Sequence, residues 1–532
     1  MSELTARLIS AIAASLVALL LLASCAVGPD FHPPAAPDAD RYTKEPFEQR
    51  TSSTDAPDGQ PQHFIPGRDI PQQWWALFKS PTLNVLIAQA LNNNPNLQSA
   101  IATLRAAKEA VYAQEGKYFP LAQYDFNPTR QQTASVISPV LNATSNPFNL
   151  YTNQVLVSYT FDVWGLNRRT VESLQALADT QGFQVEAAYL ALTANVALAA
   201  ITDASLRGQI DATNEIIAIN TKMLDVLHKQ LNTGYANRNA VAAQEAALAQ
   251  VKATLPPLRK ALQQNRDLLA ALVGALTSQG PNEIFKLDDL RLPLDLPVSL
   301  PSQLIEQRPD VRAAQEQLHS ASALVGVATA NMLPNFTISA NAGYMNTVLT
   351  GLLSPANAFW LVAGNATQTV FDAGTLLHTL RGAQGTYDAA AWGYRGTVVG
   401  AVQNVTDSLR AIQNDADALR AARDFERAAK ISFDLARQQM ETGNANVLLL
   451  LTAQQTYLQA VIQVVQARAA RLSDTVALFQ ALGGGWWNRV QPPTEKILDV
   501  NTGQAAILVD AHYAPDAASA VVPAADKSGV RQ

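Results

Sequence analysis

The chain carries one pattern twice, and that duplication limits its fold more than any single motif does. Asn94-Pro95-Asn96-Leu97 aligns with Arg308-Pro309-Asp310-Val311, and Ala100, Leu104, Ala107 and Pro120 align with Ala314, Leu318, Ala321 and Pro334, all at an offset of 214. Further on, Phe161-Asp162 matches Phe371-Asp372 at 210, while Gly165, Thr233-Gly234 and Gly274 match Gly374, Thr442-Gly443 and Gly483 at 209. Both changes of offset fall between Pro120 and Gly165, so only the stretch between the helical parts has varied in length. Each copy is therefore a single supersecondary unit.

Within each copy the spacing predicts a short helix, a β-hairpin, a long helix, a tight turn and a returning helix. The short helices are expected near 95–118 and 309–332, each closed by a proline that cannot continue it. In 153–161, Val155, Val157, Tyr159 and Phe161 share one face with Gln154, Ser158 and Thr160 on the other. In 336–344, Phe336, Ile338, Ala340, Ala342 and Tyr344 alternate with Thr337, Ser339, Asn341 and Gly343. That is the two-residue period of a strand with one oily and one wet face. Weaker partners lie at 121–127 and 359–370, joined through loops 128–152 and 345–358. Proline is absent from 148 to 255 and from 356 to 491. Residues 166–232 and 375–441 are thus each one helix, roughly 100 Å long at 1.5 Å per residue. The returning helices are expected at 240–276, kinked by Pro256-Pro257, and at 447–482. A short helix stacked end to end on a returning one would nearly match a long one.

The resulting plan has a signal peptide (1–24), a lipidated linker (25–70) acting as a tether, and a first repeat (71–277) with hairpin 121–163. An equatorial connection (278–307), a second repeat (308–483) with hairpin 335–371, and an equatorial segment running into a disordered tail (484–532) complete it. Four amphipathic strands per chain can span a bilayer, but a membrane barrel needs about eight or more. A lone four-stranded sheet would leave its edges unpaired in lipid. Closure must come from several copies, and twelve strands from three chains is the simplest sum. The helices, too polar and too long for the bilayer, must extend beyond it.

The N-terminus fixes the compartment. Arg7 precedes a largely apolar 15-residue run, Leu8 to Leu22, followed by Leu22-Ala23-Ser24-Cys25. The run is short for a bilayer span and reads as a secretory signal. Leu-Ala-Ser-Cys resembles the bacterial lipobox, in which the cysteine is lipidated and becomes the first residue. Cys25 is the only cysteine, so no intramolecular disulfide is possible. Ala26, in place of an aspartate, favours the outer membrane. Net charge is −6 with no basic stripe, which gives no reason to expect nucleic acid. The six histidines (32, 63, 228, 319, 378 and 512) are scattered, with no pair at i, i+4. Neither a nucleophile elbow nor a phosphate-cradling glycine loop occurs, so an enzyme is not expected, and no cofactor beyond a covalent lipid on Cys25.

Several motifs together carry a family resemblance. They are Cys-Ala-Val-Gly-Pro-Asp-Phe (25–31), the Trp75/Leu77-Phe78/Pro81/Leu83 opening, Leu300-Pro301-Ser302 with Arg308-Pro309-Asp310-Val311, and Phe371-Asp372-Ala373-Gly374. Over about residues 25–487 the chain resembles the outer membrane factors of the TolC superfamily, specifically the NodT/OprM-like efflux lipoproteins. The resemblance implies an α+β membrane protein, a homotrimer with a twelve-stranded β-barrel continuous with a long periplasmic α-helical barrel. A collar would form from 71–90, 278–307 and 484–500. Partners would be a periplasmic adaptor, an inner-membrane pump of the resistance-nodulation-division (RND) type and outer-membrane lipid. The alternatives are the exit duct of a type I protein exporter or, from another class, a periplasmic coiled-coil scaffold lipoprotein.

The same resemblance puts the mechanism at the two periplasmic turns, where the gate and the adaptor contact would lie. The first carries Thr233, Gly234, Tyr235 and Arg238; the second carries Thr442, Gly443 and Asn444. Both glycines are expected in the left-handed conformation that ends a helix, so plain helix caps are part of the reading. The relatives' Leu-x-x-x-Asp-Ala-Gln stretch reads here Leu448-Leu449-Leu450-Leu451-Thr452-Ala453-Gln454. Leu448 stands at the apolar constriction position and Thr452 where an aspartate is common, as Ala240 does in the first repeat. A hydrophobic, neutral gate is implied in place of a carboxylate ring. Arg238 and Arg437 could reach neighbouring helices or the adaptor, or simply be solvated.

Overall fold

The computed structural model describes residues 26–36, 41–45, 47–132, 147–441, 447–489, 496–498 and 505–507. The signal peptide, Cys25, the turn residues Thr442, Gly443 and Asn444, and most of the tail lie outside them. In chain order the elements are β1 (His63–Pro66), α1 (Pro81–Asn93), α2 (Pro95–Glu115), β2 (Leu121–Gln131), β3 (Phe148–Phe161) and α3 (Leu166–Asn232). Then come α4 (Arg238–Ala253), α5 (Leu255–Leu272), β4 (Asp295–Val298), α6 (Pro301–Gln307), α7 (Pro309–Ala330), β5 (Asn335–Asn346) and β6 (Ala358–Thr367). The second long helix α8 (Thr375–Glu441), its return α9 (Val447–Ala481) and the short strands β7 (Lys496–Leu498) and β8 (Ala505–Ile507) complete the chain.

Two compact units emerge. One comprises Arg105–Thr180 and Ala314–Tyr394 with the segment ending at Pro34; the other comprises Ala35–Leu104, Gln181–Ala313 and the chain from Arg395 onward. The first holds an antiparallel sheet in the order β2-β3-β5-β6, so β2 and β6 each leave an edge open. Register sorts its side chains by polarity. Tyr124 faces Val155, Val155 faces Ala342 and Ala342 faces Trp360, which builds an apolar face. On the other face Gln154 donates to Asp125 (3.2 Å), Asn341 donates to Gln154 (3.0 Å) and the hydroxyls of Thr160 and Thr337 meet at 3.2 Å. A polar ladder on one side and exposed Tyr124, Trp360 and Val362 on the other make a wall between water and oil. Pro128 is accommodated because β2 is an edge strand.

The Phe-Asp pairs explain how strands become long helices. The Asp162 carboxylate accepts from the backbone N–H of Asn167 (2.8 Å) and Arg168 (2.9 Å), and Asp372 from those of Gly374 (2.9 Å) and Leu376 (2.7 Å). Each satisfies amides that a helix start leaves unbonded. Both long helices have 67 residues.

In the second unit, Trp74 stacks on Phe479 at 5.4 Å, and Phe78, Leu86, Ile87, Phe285 and Leu296 are buried around them. Here the stacking of short helix on returning helix is explicit. The Asn94 side chain donates to the Leu272 carbonyl (2.9 Å), and Arg308 donates to the Ala481 carbonyl (3.0 Å). Gly274 (φ +73°) and Gly483 (φ +90°) end the returning helices so closely that a Cβ on either would lie 2.3 Å from the carbonyl oxygen of Asn93 or Gln307. The duplicated glycines are thus the joints of two composite helices.

The structure differs from the sequence reading at five places. The return at 240–276 is not one kinked helix but two, broken at Thr254 just before Pro256-Pro257, and it ends at Leu272. The hairpin loop 128–152 is shorter than expected, because β2 runs to Gln131 and β3 starts at Phe148. The helices are less uniformly polar than expected: α3 and α9 each contain a stretch apolar and long enough to cross a membrane. In α3, buried Val196, Ala197, Ala200, Ile201 and Ala204 account for much of that character. The tail is not disordered throughout, since β8 at 505–507 pairs with β7.

The fifth difference is the largest. Residues 26–70 are no mere tether. His63–Pro66 pairs in parallel with Asp295–Val298, and the described residues between Tyr42 and Gln62 are strapped across α8 and α9. Thr406 and Gln413 of α8 donate to the carbonyls of Tyr42 and Glu48, and Arg423 donates to that of Asp55. From α9, Arg471, 1% exposed, donates to Asp58, Gln60, Thr51 and Gln62, while Arg468 pairs with Asp58 (2.9 Å) and Asp288 (2.7 Å). Polar composition suggested a solvated linker, but its carbonyls are acceptors that the buried Arg471 needs, and its Asp58 carboxylate is the partner of the half-buried Arg468.

Candidate functional site

The first turn is built by local chemistry. After α3, the N–H of Gly234 bonds to the Leu231 carbonyl (3.1 Å) and that of Tyr235 to the Gln230 carbonyl (2.8 Å), the paired pattern of a left-handed helix stop. Gly234 has φ +80° with open space around it, so conformation and not crowding demands the glycine. Thr233 returns its hydroxyl to the Lys229 carbonyl (3.0 Å), and Asn237 caps α4 by accepting from Ala240 N–H (2.9 Å). These bonds leave Tyr235 87% exposed, with Arg238 exposed beside it.

The start of α9 lies against this turn. Tyr235, Asn237, Ala240, Met440, Leu448 and Leu451 line a shared cavity of about 380 Å³, and no carboxylate or cation is among its lining residues. Leu448 is 66% exposed although Leu450, two residues on, is fully buried. Beneath them Met223, Leu227, Val241, Phe433, Met440 and Leu450 form an apolar plug that holds the four helices α3, α4, α8 and α9 together at this end. Thr452, exposed, uses its hydroxyl to bond the Leu448 carbonyl (2.9 Å) and so offers no charge. The structure therefore brings Tyr235 and Leu448 together, with Thr452 one turn farther along. Thr233, Gly234 and Arg238 shape the approach without lining the cavity. Arg437 lies over the Phe433 ring at 5.9 Å, and Phe433 stacks on Tyr457 at 5.6 Å.

Sequence reasoning passed over two features nearby. Gln454, the last residue of the Leu-x-x-x-Thr-Ala-Gln stretch, is 3% exposed, and neither of its amide atoms has a hydrogen-bond partner. Farther along the same helix pair, Asp415 of α8 and Asp474 of α9 share a hydrogen bond. Burial first, and then that bond, push Asp415 up to about 7 despite the opposing charge of Arg471. A carboxyl pair inside a helix contact gives no periodic signal, since each residue alone reads as a surface acid.

Comparison with known proteins bears directly on this architecture. The family model described as outer membrane efflux protein matches residues 86–275 and 300–484, the two halves of the duplication. The chain is 28% identical over 485 residues to the toluene efflux pump outer membrane protein TtgF of Pseudomonas putida, covering 90% of this chain and 98% of that protein. The probable efflux pump outer membrane protein SepC, from another strain of P. putida, matches to the same extent. Among solved structures, the outer-membrane channel OprN superposes with a TM-score of 0.78 at 24% identity, over 87% of this chain and all of OprN.

Proposed function

The chain belongs to the outer membrane efflux protein family, and from that footing we propose that three copies form the exit duct of a tripartite pump. It is an outer-membrane channel component of an efflux system. In the proposed assembly the open edges of β2 and β6 pair between copies, closing twelve strands into one barrel in the bilayer. The apolar face with Tyr124, Val155 and Trp360 meets lipid, and the face with Asp125, Gln154 and Asn341 lines the water-filled lumen. Cys25 carries the lipid that adds a second hold on the membrane.

The observation that carries the mechanism is the neutral cavity shared by Tyr235 and Leu448. An exposed leucine above a packed apolar plug is held there by helix geometry and not by a core of its own. Three such leucines meeting on the axis would exclude water and so close the duct. A periplasmic adaptor engaging Tyr235, Arg238 and the residues around Thr233, Gly234, Thr442, Gly443 and Asn444 would draw the helix pairs apart. Solutes handed on by an inner-membrane RND-type pump would then pass without chemistry. Relatives named for toluene efflux favour small molecules over secreted proteins as cargo.

The test is complementation. Expressed with a cognate adaptor and pump in a strain lacking its outer channels, the chain should lower accumulation of a fluorescent pump substrate and run on gels as a heat-modifiable trimer. A monomer that conducts no ions in planar bilayers would overturn the proposal.

A further inference from the structure

The Cys-Ala-Val-Gly-Pro-Asp-Phe motif has no part in gating, yet the structure builds a seat for it. Arg169, 4% exposed in α3, donates from Nε to the Val27 carbonyl (3.2 Å) and from Nη2 to the Asp30 carboxylate (2.7 Å), while Nη1 is held by Glu172 (2.7 Å). Val27 N–H bonds to the Trp164 carbonyl (3.0 Å). Phe31 stacks on the His319 ring at 4.4 Å, and His319 is itself held between Glu172 (3.1 Å) and Glu316 (3.2 Å).

Glycines make the seat deep enough. A Cβ on Gly28 (φ +97°) would fall 2.4 Å from the Gly326 Cα, and one on Gly165 would fall 2.8 Å from the Ala26 Cα. No ordinary side chain fits at these points without moving backbone. A second observation concerns lipid. The end of the sheet that runs into the helices carries exposed Phe119 (72%), Leu121 (55%), Phe161 (42%), Val370 (94%) and Phe371 (88%). Such an apolar girdle marks where a barrel wall meets the membrane boundary.

We infer that Arg169 is the positioning residue for the membrane anchor: it seats residues 26–31 in one conformation, so that acyl chains on Cys25 enter the bilayer at the foot of the sheet. The inference rests on acylation of Cys25, proposed above. In the sequence Cys25 is joined directly to Ala26, the first residue of the seated segment. The lipid then acts as a pin at a set point of the barrel wall and not as a leash. Gly28 lets the chain turn into the slot, Asp30 meets the arginine and Phe31 covers the histidine, which accounts for the residue types of the motif.

The experiment uses the full mature protein in outer-membrane vesicles. The mass of the Cys25–Arg41 tryptic peptide reports acylation. A benzophenone side chain at position 161 reports proximity of that peptide, with one at 344, toward the other end of the sheet, as control. The expected result is an acylated peptide that cross-links from 161 and not from 344. Amide exchange at Val27 should be slowed by about tenfold or more, as one retained hydrogen bond implies. Arg169→Met should cut the cross-link at least several-fold with acylation intact. Gly28→Ala, which leaves every helix residue unchanged and presses the seated segment away from the Gly326 backbone, should do the same. An acylated peptide that exchanges freely and does not cross-link overturns the inference and leaves the lipoprotein reading standing. An unmodified peptide removes the lipoprotein reading and the inference with it.

Discussion

Replacing Leu448 by aspartate tests the gate most directly. In the subunit Leu448 is 66% exposed. Full burial of a leucine is worth about 1.5–3 kcal/mol, so covering the remaining two thirds at a threefold contact would contribute roughly 1–2 kcal/mol per chain. Summed over three chains this is about 3–6 kcal/mol in favour of the closed state, a factor of roughly 10² to 10⁴ in the closed-to-open ratio. Leu448→Asp removes that term and sets three carboxylates at one level, where like charges repel. Mean conductance of the reconstituted trimer in planar bilayers should rise at least about tenfold, with cation preference, by the same arithmetic. Leu448→Ala should act in the same direction but less. Leu449, half exposed on the next helical position, supplies the control. If Leu448→Asp conducts like the parent, or Leu449→Asp opens the duct equally well, Leu448 is not the constriction.

Three further outcomes follow from the geometry. Gly483→Ala puts a Cβ 2.3 Å from the Gln307 carbonyl at φ +90°, and should lower stability by roughly 2–4 kcal/mol, with Gly274→Ala alike; an unchanged thermal midpoint would mean the helix joints are loose. Arg471→Met leaves the acceptors of the 51–62 strap unpaired, at a cost of about 2–4 kcal/mol, and trypsin should then cleave the folded trimer at Arg50 faster than in the parent. Asp415 is an acid held above its ordinary 3.8, up to about 7. Its folded form therefore retains a proton that the unfolded chain releases, and stability declines as pH rises from 3.8 to about 7, after which the penalty is complete. Asp415→Asn should raise the melting temperature at pH 8 and scarcely at pH 4; equal shifts at both would contradict the shared-proton reading.

The conformation of the tip was legible because it is local. Thr233, Gly234 and Asn237 each act within five residues of themselves, and a left-handed stop followed by a side-chain cap needs nothing from elsewhere. What the tip does with Tyr235 was not legible, since the cavity it shares with Leu448 joins positions more than two hundred residues apart. Gln454 was visible as part of a motif, but its burial without partners depends on helices that pack from both repeats. The N-terminal segment misled for a different reason. Its proline and small polar residues suit a solvated chain, whereas Arg169, Arg468 and Arg471 turn its carbonyls and carboxylates into ligands.

By itself the sequence determined the duplication, the sheet's oily and wet faces and the two unbroken helices. These follow from periods of two and near 3.6 residues and from where proline is absent, properties a chain carries locally. Only the tertiary structure decided that the glycines ending α5 and α9 are joints, that the strap binds α8 to α9, and that the segment after Cys25 has a seat. Each of these is a meeting of irregular backbone with a distant partner. No periodicity encodes such meetings, because the hydrogen bonds that fix them exist only once the distant helix is in place.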